Sequence, residues 1–188
     1  GTDIGAGNEI NGLTLGGVGA GTTLEYIEVI SNADDGVEFF GGTASIKHVV
    51  TAFCADDSFD YDEGWRGYGQ FWCTVQEEGE GDRGGEHDGG TDPEDGLPYA
   101  HPVIYNATYI GRGADAGRRA LTLRDNAGGE YHNSIFYNWG RGIDIEKLAS
   151  GEDSYERFAN NEIAFVGNVF DGCTGLGLDA AASDLFTI

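Results

Sequence analysis

Two adjacent aspartates recur 22 residues apart, and everything around them moves by the same step. Asp34 maps to Asp56, Asp35 to Asp57, Val37 to Phe59, Glu38 to Asp60 and Phe39 to Tyr61. Inside this repeat sits a shorter unit, a small residue followed by apolar, any, apolar. It stands at Gly12-Leu13-Thr14-Leu15, Gly36-Val37-Glu38-Phe39 and Ser58-Phe59-Asp60-Tyr61, and again at Ala120-Leu121-Thr122-Leu123, Gly142-Ile143-Asp144-Ile145 and Gly175-Leu176-Gly177-Leu178. Each copy reads as a period-2 strand with two inward side chains and one outward.

A second apolar stretch lies between successive copies, at residues 24–30, 46–53, 71–75, 103–110, 131–136 and 163–170. Ile27, Val49 and Phe71 form a further column at the 22-residue step, which predicts that all three point inward. Short strands recurring at a fixed step of this length imply coils stacked at the ~4.8 Å strand spacing, with equivalent residues in ladders along the axis. A leucine-rich repeat has a similar period but requires an L-x-x-L-x-L-x-x-N signature that is absent. A β-sandwich would not keep a constant step. The expected fold is all-β, a right-handed parallel β-helix (a pectin-lyase-like solenoid) of about six coils in one domain spanning residues 1–188. Two segments break the period. Residues 76–98 read as a long acidic surface loop, and residues 146–162 as a second insertion with one or two helical turns.

Composition fits a chain of many tight turns. Glycine contributes 33 residues and proline 3, with no Gly-X-Y period. The charge is one-sided, with 33 acidic residues against 10 lysines and arginines and a net charge of −23. Such a surface repels nucleic acid and anionic membranes and attracts cations. No run of 18 apolar residues exists, so membrane insertion by a helix is not expected. No leader is recognisable, and Gly1 reads as the start of a mature or trimmed chain. Cys54, Cys73 and Cys173 fit neither a disulfide-dense scaffold nor a zinc site. Cys54 and Cys73 pair if they meet on adjacent coils, or all three are free thiols.

The acidic ladder is the most specific chemical signal. Asp34, Asp35 and Glu38 stack on Asp56, Asp57 and Asp60, with Asp62 just beyond, and a further acidic group including Glu86 and Asp88 lies in the 76–98 segment. Like charges about 4 Å apart cost about 1 kcal/mol in water and about 4 kcal/mol at an effective dielectric of 20. Oxygen-only ligands point to calcium as the ion that relieves them. The competing reading is a solvated acidic edge whose aspartates serve turns. Arginines cluster at Arg112, Arg118, Arg119, Arg124 and Arg141, either as a patch for a carboxylated or sulfated glycan or as partners for neighbouring acidic coils. Trp65 and Trp139, with Tyr68, Phe71 and Trp72, are candidates for a sugar-stacking platform beside Arg118, Arg119, Arg124 and Arg141. No nucleophile elbow, phosphate loop or metalloprotease motif is present, and no carboxylate pair is singled out by spacing as catalytic.

The segments 8–19 (Asn8 to Gly19), 34–43 (Asp34-Asp35-Gly36-Val37-Glu38-Phe39-Phe40-Gly41-Gly42-Thr43) and 56–65, with Arg118-Arg119-Ala120-Leu121 and Asn133-Ser134-Ile135-Phe136, resemble a family of large secreted bacterial β-helix proteins common in Bacteroidetes-type genomes. The resemblance covers roughly residues 8 to 145. It implies a secreted or outer-cell-surface location and supplies no catalytic residues. Relative to that family the chain lacks N-terminal coils and a sorting domain, as a fragment or short relative does. The expectation is an extracellular structural or adhesive module, calcium-stabilised and self-associating end to end or holding a surface glycan. The alternative is a carbohydrate-active β-helix, a polysaccharide lyase or glycoside hydrolase, or a glycan-binding module.

Overall fold

Each apolar-x-apolar unit forms a short strand, and the stretch that follows turns the chain back to lay the next strand on the last. The structure is a computed structural model that describes Ile4 and residues 10–173. The first coil holds β1 (Leu13–Gly16) and β2 (Thr23–Ile30), the second β3 (Val37–Phe40) and β4 (Ser45–Ala52), the third β5 (Phe59–Asp62) and β6 (Tyr68–Val75). The fourth holds β7 (Gly85–Asp88), β8 (Val103–Tyr105) and β9 (Thr108–Ile110), and the fifth β10 (Arg119–Arg124), β11 (Gly129–His132) and β12 (Ile135–Tyr137). The sixth holds β13 (Arg141–Ile145), the helix α1 (Ser154–Ala159), β14 (Ile163–Val166) and β15 (Val169–Asp171).

All pairings are parallel and link equivalent strands of successive coils. The first sheet runs β1-β3-β5-β7-β10-β13, and the second gathers the remaining nine strands. This is a parallel β-helix, as the repeat predicts. The 22-residue step holds for Val37 on Phe59, Thr23 on Ser45 and Arg119 on Arg141. The small residue opening each unit is required by space. A Cβ on Gly36 would lie 2.5 Å from the Ser58 carbonyl oxygen, and one on Gly84 would lie 2.5 Å from that of Ala120.

The interior is a set of ladders. Leu15, Phe39, Tyr61, His87, Leu123 and Ile145 follow one another along the first sheet. Rings stack between coils and across the lumen: Phe39 lies 3.9 Å from Trp65, Phe59 4.3 Å from Trp72 and Tyr61 3.9 Å from His87, centroid to centroid.

Three expectations are corrected. Residues 76–98 are not one loop, because β7 lies within them as a full member of the first sheet. Its inward residues are Gly85 and His87 where other coils carry two apolar side chains, so the apolar pattern does not show it. The His87 ring fills the space a Gly85 side chain would need, with a Cβ there only 2.5 Å from Cε1. The excursion that remains is residues 89–102. Next, Phe71 points outward and Trp72 inward, because Val49 pairs with Trp72 and the step there is 23. The cause is a left-handed bend inside each long strand, at Tyr26 (φ 59°), His48 (φ 56°) and Phe71 (φ 56°), which resets the alternation. Finally, Trp65 and Trp139 are wholly buried, donating their indole N–H to the carbonyls of Ala44 and Tyr109, so they present no ring to a sugar. Trp72 is buried too.

The second insertion does carry helix α1, capped by Asp153, whose side chain accepts from the Glu156 N–H. The three cysteines are free thiols. The strand copy expected at Gly175–Leu178 lies outside the described residues.

Candidate metal centre

The outward face of the first sheet is a column of polar residues held in register by the ladder: Thr14, Glu38, Asp60, Glu86, Thr122 and Asp144. Beside it, at the turn entering each strand, a second column stacks Asp34 and Asp35 on Asp56 and Asp57, then on Asp82 and Arg83. The backbone fixes this stacking, since Gly36 N–H donates to the Asp57 carbonyl and Asp82 N–H to that of Asp56. Side chains extend it: Asp35 accepts from the Asp57 N–H at 2.9 Å, and Asp57 accepts from the Arg83 N–H.

Three overlapping carboxylate groups result. Asp34, Asp35 and Asp56 form one, Asp35, Glu38 and Asp60 the second, and Asp56, Asp57 and Asp82 the third, each offering oxygens within 4.8 Å of one another. Oxygens surrounding a calcium ion at ~2.4 Å lie at most ~4.8 Å apart, so the spacing fits that ion. No lysine or arginine is within ion-pair distance of Asp34, Asp35, Glu38, Asp56 or Asp60 among the described residues. The Asp60 Oδ1 atom is buried with no hydrogen-bond partner.

The electrostatics follow. Burial pushes Asp35 up to about 8, with Glu38, Asp56 and Asp34 adding repulsion against the opposing Asp57 N–H. Burial likewise raises Glu38 to about 7, although the Asn11 amide that donates to it opposes the shift. Asp57 and Asp60 are pushed well above the usual carboxylate range, by burial first and then by neighbouring carboxylates, Asp35 foremost. Asp56 is raised by burial and by Asp82. The arrangement holds more negative charge than its own cations balance.

Further along the sheet the balance changes. Arg83 reaches Asp57, Asp82 and Glu86 at 3.1 to 3.5 Å, and Arg124 reaches Glu86 at 3.0 Å and Asp88 at 2.7 Å. Glu86 and Asp88 therefore stand in ion pairs and in none of the three groups. Asp62 lies apart from them as well, accepting from the Glu63 N–H and the Thr91 hydroxyl. Among the arginines, Arg118 pairs with Asp82 at 2.6 Å and Arg119 with Asp144 at 2.9 Å, while Arg141 stacks on Arg119 in register. Asp82 was not legible as a member, because the coil between Asp56 and it is 26 residues long, the step that also separates Phe59 from Gly85.

A groove opens elsewhere, between the two insertions. Depressions of about 850 and 960 Å³ meet at Leu97, Tyr99 and Arg157. Tyr99 donates to Glu152 at 2.8 Å, and the Arg157 guanidinium lies 4.7 Å from the Tyr99 ring centre. Arg66 and His101 line the first depression.

A ladder of parallel coils bearing a carboxylate face defines a β-helix solenoid, the class to which enzymes acting on polysaccharides and structural modules both belong. A model of the pectate-lyase-like β-helix domain matches residues 1–180, and the chain belongs to that family. No curated protein and no solved structure is similar enough to this chain to count as a match. No helix among the described residues is long and apolar enough to cross a membrane.

Proposed function

We propose that this domain is an extracellular structural β-helix module that binds calcium on the first sheet and uses the ion to fasten its second and third coils. The observation that carries this reading is the group formed by Asp35, Glu38 and Asp60. These side chains come from two successive coils, converge within 4.8 Å, lack a basic partner and include a buried carboxylate oxygen with nothing to accept from. Asp34, Asp56, Asp57 and Asp82 extend the site along the turn column. An open-rimmed carboxylate site suits the roughly 10⁻⁴–10⁻³ M affinities of extracellular calcium modules. Adhesion to a surface and coil-on-coil association belong to the same reading, because parallel coils associate through the same strand pairing that stacks them within the chain.

Calorimetric melting of protein dialysed against a chelator tests it. Added calcium raises the melting temperature by several degrees, and the triple variant Asp35→Asn, Glu38→Gln, Asp60→Asn loses that response while remaining folded. A wild-type melting temperature that ignores calcium sinks the proposal.

The groove favours a second reading, a carbohydrate-active or glycan-binding β-helix. Tyr99 offers a ring, Arg66 and Arg157 cationic donors and His101 an imidazole, all in one depression of an otherwise anionic chain. Glycan-array binding that Tyr99→Ala and Arg66→Ala abolish would establish it, and release of sugar products would add catalysis.

A further inference from the structure

The outward face of the second sheet has a character opposite to that of the first. One column runs Glu28, Val50, Cys73, Thr108, Ile135 and Val169, each residue in register with the next. The adjacent column runs Ile30, Ala52, Val75, Ile110, Tyr137 and Asp171. None of these side chains is fully buried, and Ile30 (55%), Ile135 (44%), Tyr137 (46%) and Val169 (53%) are openly exposed. Ten of the twelve positions carry no charge, in a chain whose net charge is −23. An apolar stripe through six coils is more than the scattered exposed hydrophobics of an ordinary surface.

We infer that this stripe is the contact face of a homodimer in which two copies pack sheet against sheet. Charge argues for a second copy. Two chains of this acidity repel over most of their surface, and the stripe is where they can approach without opposing carboxylates. Its pattern is also self-complementary. The two carboxylates, Glu28 and Asp171, stand at opposite ends of the stripe and in different columns. A two-fold axis along the coil direction sets Glu28 against Ile30 of the second copy and Asp171 against Val169. A two-fold axis across the coils sets Glu28 against Val169 and Asp171 against Ile30. Neither arrangement brings like charges together, and both leave the carboxylates at the rim where water reaches them.

Two columns spanning about three residues at ~3.3 Å, over six coils at ~4.8 Å, give a strip of about 29 by 10 Å, or about 290 Å², so the ~800 Å² per partner of a stable interface takes in the outward residues that flank the strip on the same sheet. The neighbouring aromatic column argues against a glycan as the occupant. Tyr26, His48 and Phe71 stack on one another at 4.7 and 5.0 Å, so the inner ring faces that a sugar needs are covered by other rings. This inference stands apart from the calcium site, which lies on the other sheet.

Sedimentation equilibrium on the whole domain, at low and high salt and both with calcium and with chelator, tests it. Wild type should dimerise, more tightly at high salt because screening relieves the repulsion between copies. The variant Val50→Lys, Ile135→Lys should weaken the dimer at least about tenfold, equivalent to about 1.4 kcal/mol, with its melting temperature in the chelated monomer unchanged. Glu77→Lys, an equal change of charge in an exposed loop, should leave dimerisation intact apart from the general relief of repulsion. Alkylation of Cys73, read by mass spectrometry, should slow as wild-type concentration rises. A wild-type chain that stays monomeric at its highest attainable concentration in high salt overturns the inference. So does a double-lysine variant that dimerises like wild type, or a Cys73 alkylation rate independent of concentration.

Discussion

At the scale of single residues, two enclosed polar atoms behave in opposite ways because one has a partner and the other does not. His87 is enclosed, and burial holds its imidazole down at about 3, so it is neutral. Its Nδ1–H donates to the Glu86 carbonyl, and its Nε2 accepts from the Tyr131 hydroxyl at 2.7 Å. Tyr131→Phe strips that donor and leaves a buried acceptor unmade, which costs about 1–3 kcal/mol; urea unfolding should show the loss in the midpoint with an unchanged slope. Asp60 is the reverse case, a half-buried carboxylate whose enclosed Oδ1 has no hydrogen-bond partner. In chelator, Asp60→Asn should raise the melting temperature, by about 2–4 °C for each kcal/mol of relieved repulsion. The same substitution should blunt the response to calcium, so one variant gains stability without the ion and loses it with the ion. Neither role was legible in the sequence. His87 stands in a unit without apolar markers, and the lack of a partner for Asp60 is a property of its surroundings in space.

At the scale of the element, the sequence showed the coils well wherever two apolar residues alternate and the step is 22. It failed where a backbone bend or a longer turn altered the count. The third coil shows this most sharply. The column of Ile27 and Val49 continues at a 22-residue step to Phe71, yet the ladder continues to Trp72. Nothing in the letters marks Phe71 as left-handed, since the αL region is one that bulky residues rarely enter. The exposed stack with His48 accompanies the conformation. The two neighbours should therefore respond very differently to truncation. Trp72→Ala removes a ring packed against Phe59 and Phe39 and should cost about 3–5 kcal/mol. Phe71→Ala, on the outer surface, should stay within about 0.5 kcal/mol. Chemical denaturation of the pair measures the register directly, and equal losses would contradict it. The carboxylate site was legible to the same degree as the coils. Asp34, Asp35, Glu38, Asp56, Asp57 and Asp60 follow from the clean 22-residue step, whereas Asp82 lies past a 26-residue coil and Glu86 and Asp88 are claimed by arginines that sequence spacing could not assign.

At the scale of the whole molecule, the stacking that makes the fold also concentrates charge, and stability should respond to pH in a direction opposite to that of a protein rich in salt-bridged acids. Asp35 and Glu38 ionise near 8 and 7 in the folded chain, and Asp88 near 6, all above the 3.8 to 4.5 of the open chain. Between those limits the folded state binds more protons than the unfolded state. The stability they contribute is present in full below about pH 4 and is lost as pH rises through 6 to 8. His87 works against this trend, because its folded value near 3 lies below the ordinary 6.5, so its contribution is lost as pH falls between those values. Several carboxylates outweigh one imidazole above about pH 4. In chelator, the melting temperature should therefore be highest near pH 4 and fall steadily to pH 8. Calcium competes with protons for the same oxygens, so saturating calcium should lift the curve little at pH 5 and most at pH 8, flattening or reversing the slope. Differential scanning calorimetry across that range, with and without calcium, separates the two terms. A chelated protein whose stability rises from pH 5 to pH 8 would mean that the carboxylates are not held protonated by the fold. A falling curve that calcium leaves untouched would mean that the strain is real but is relieved by protons alone.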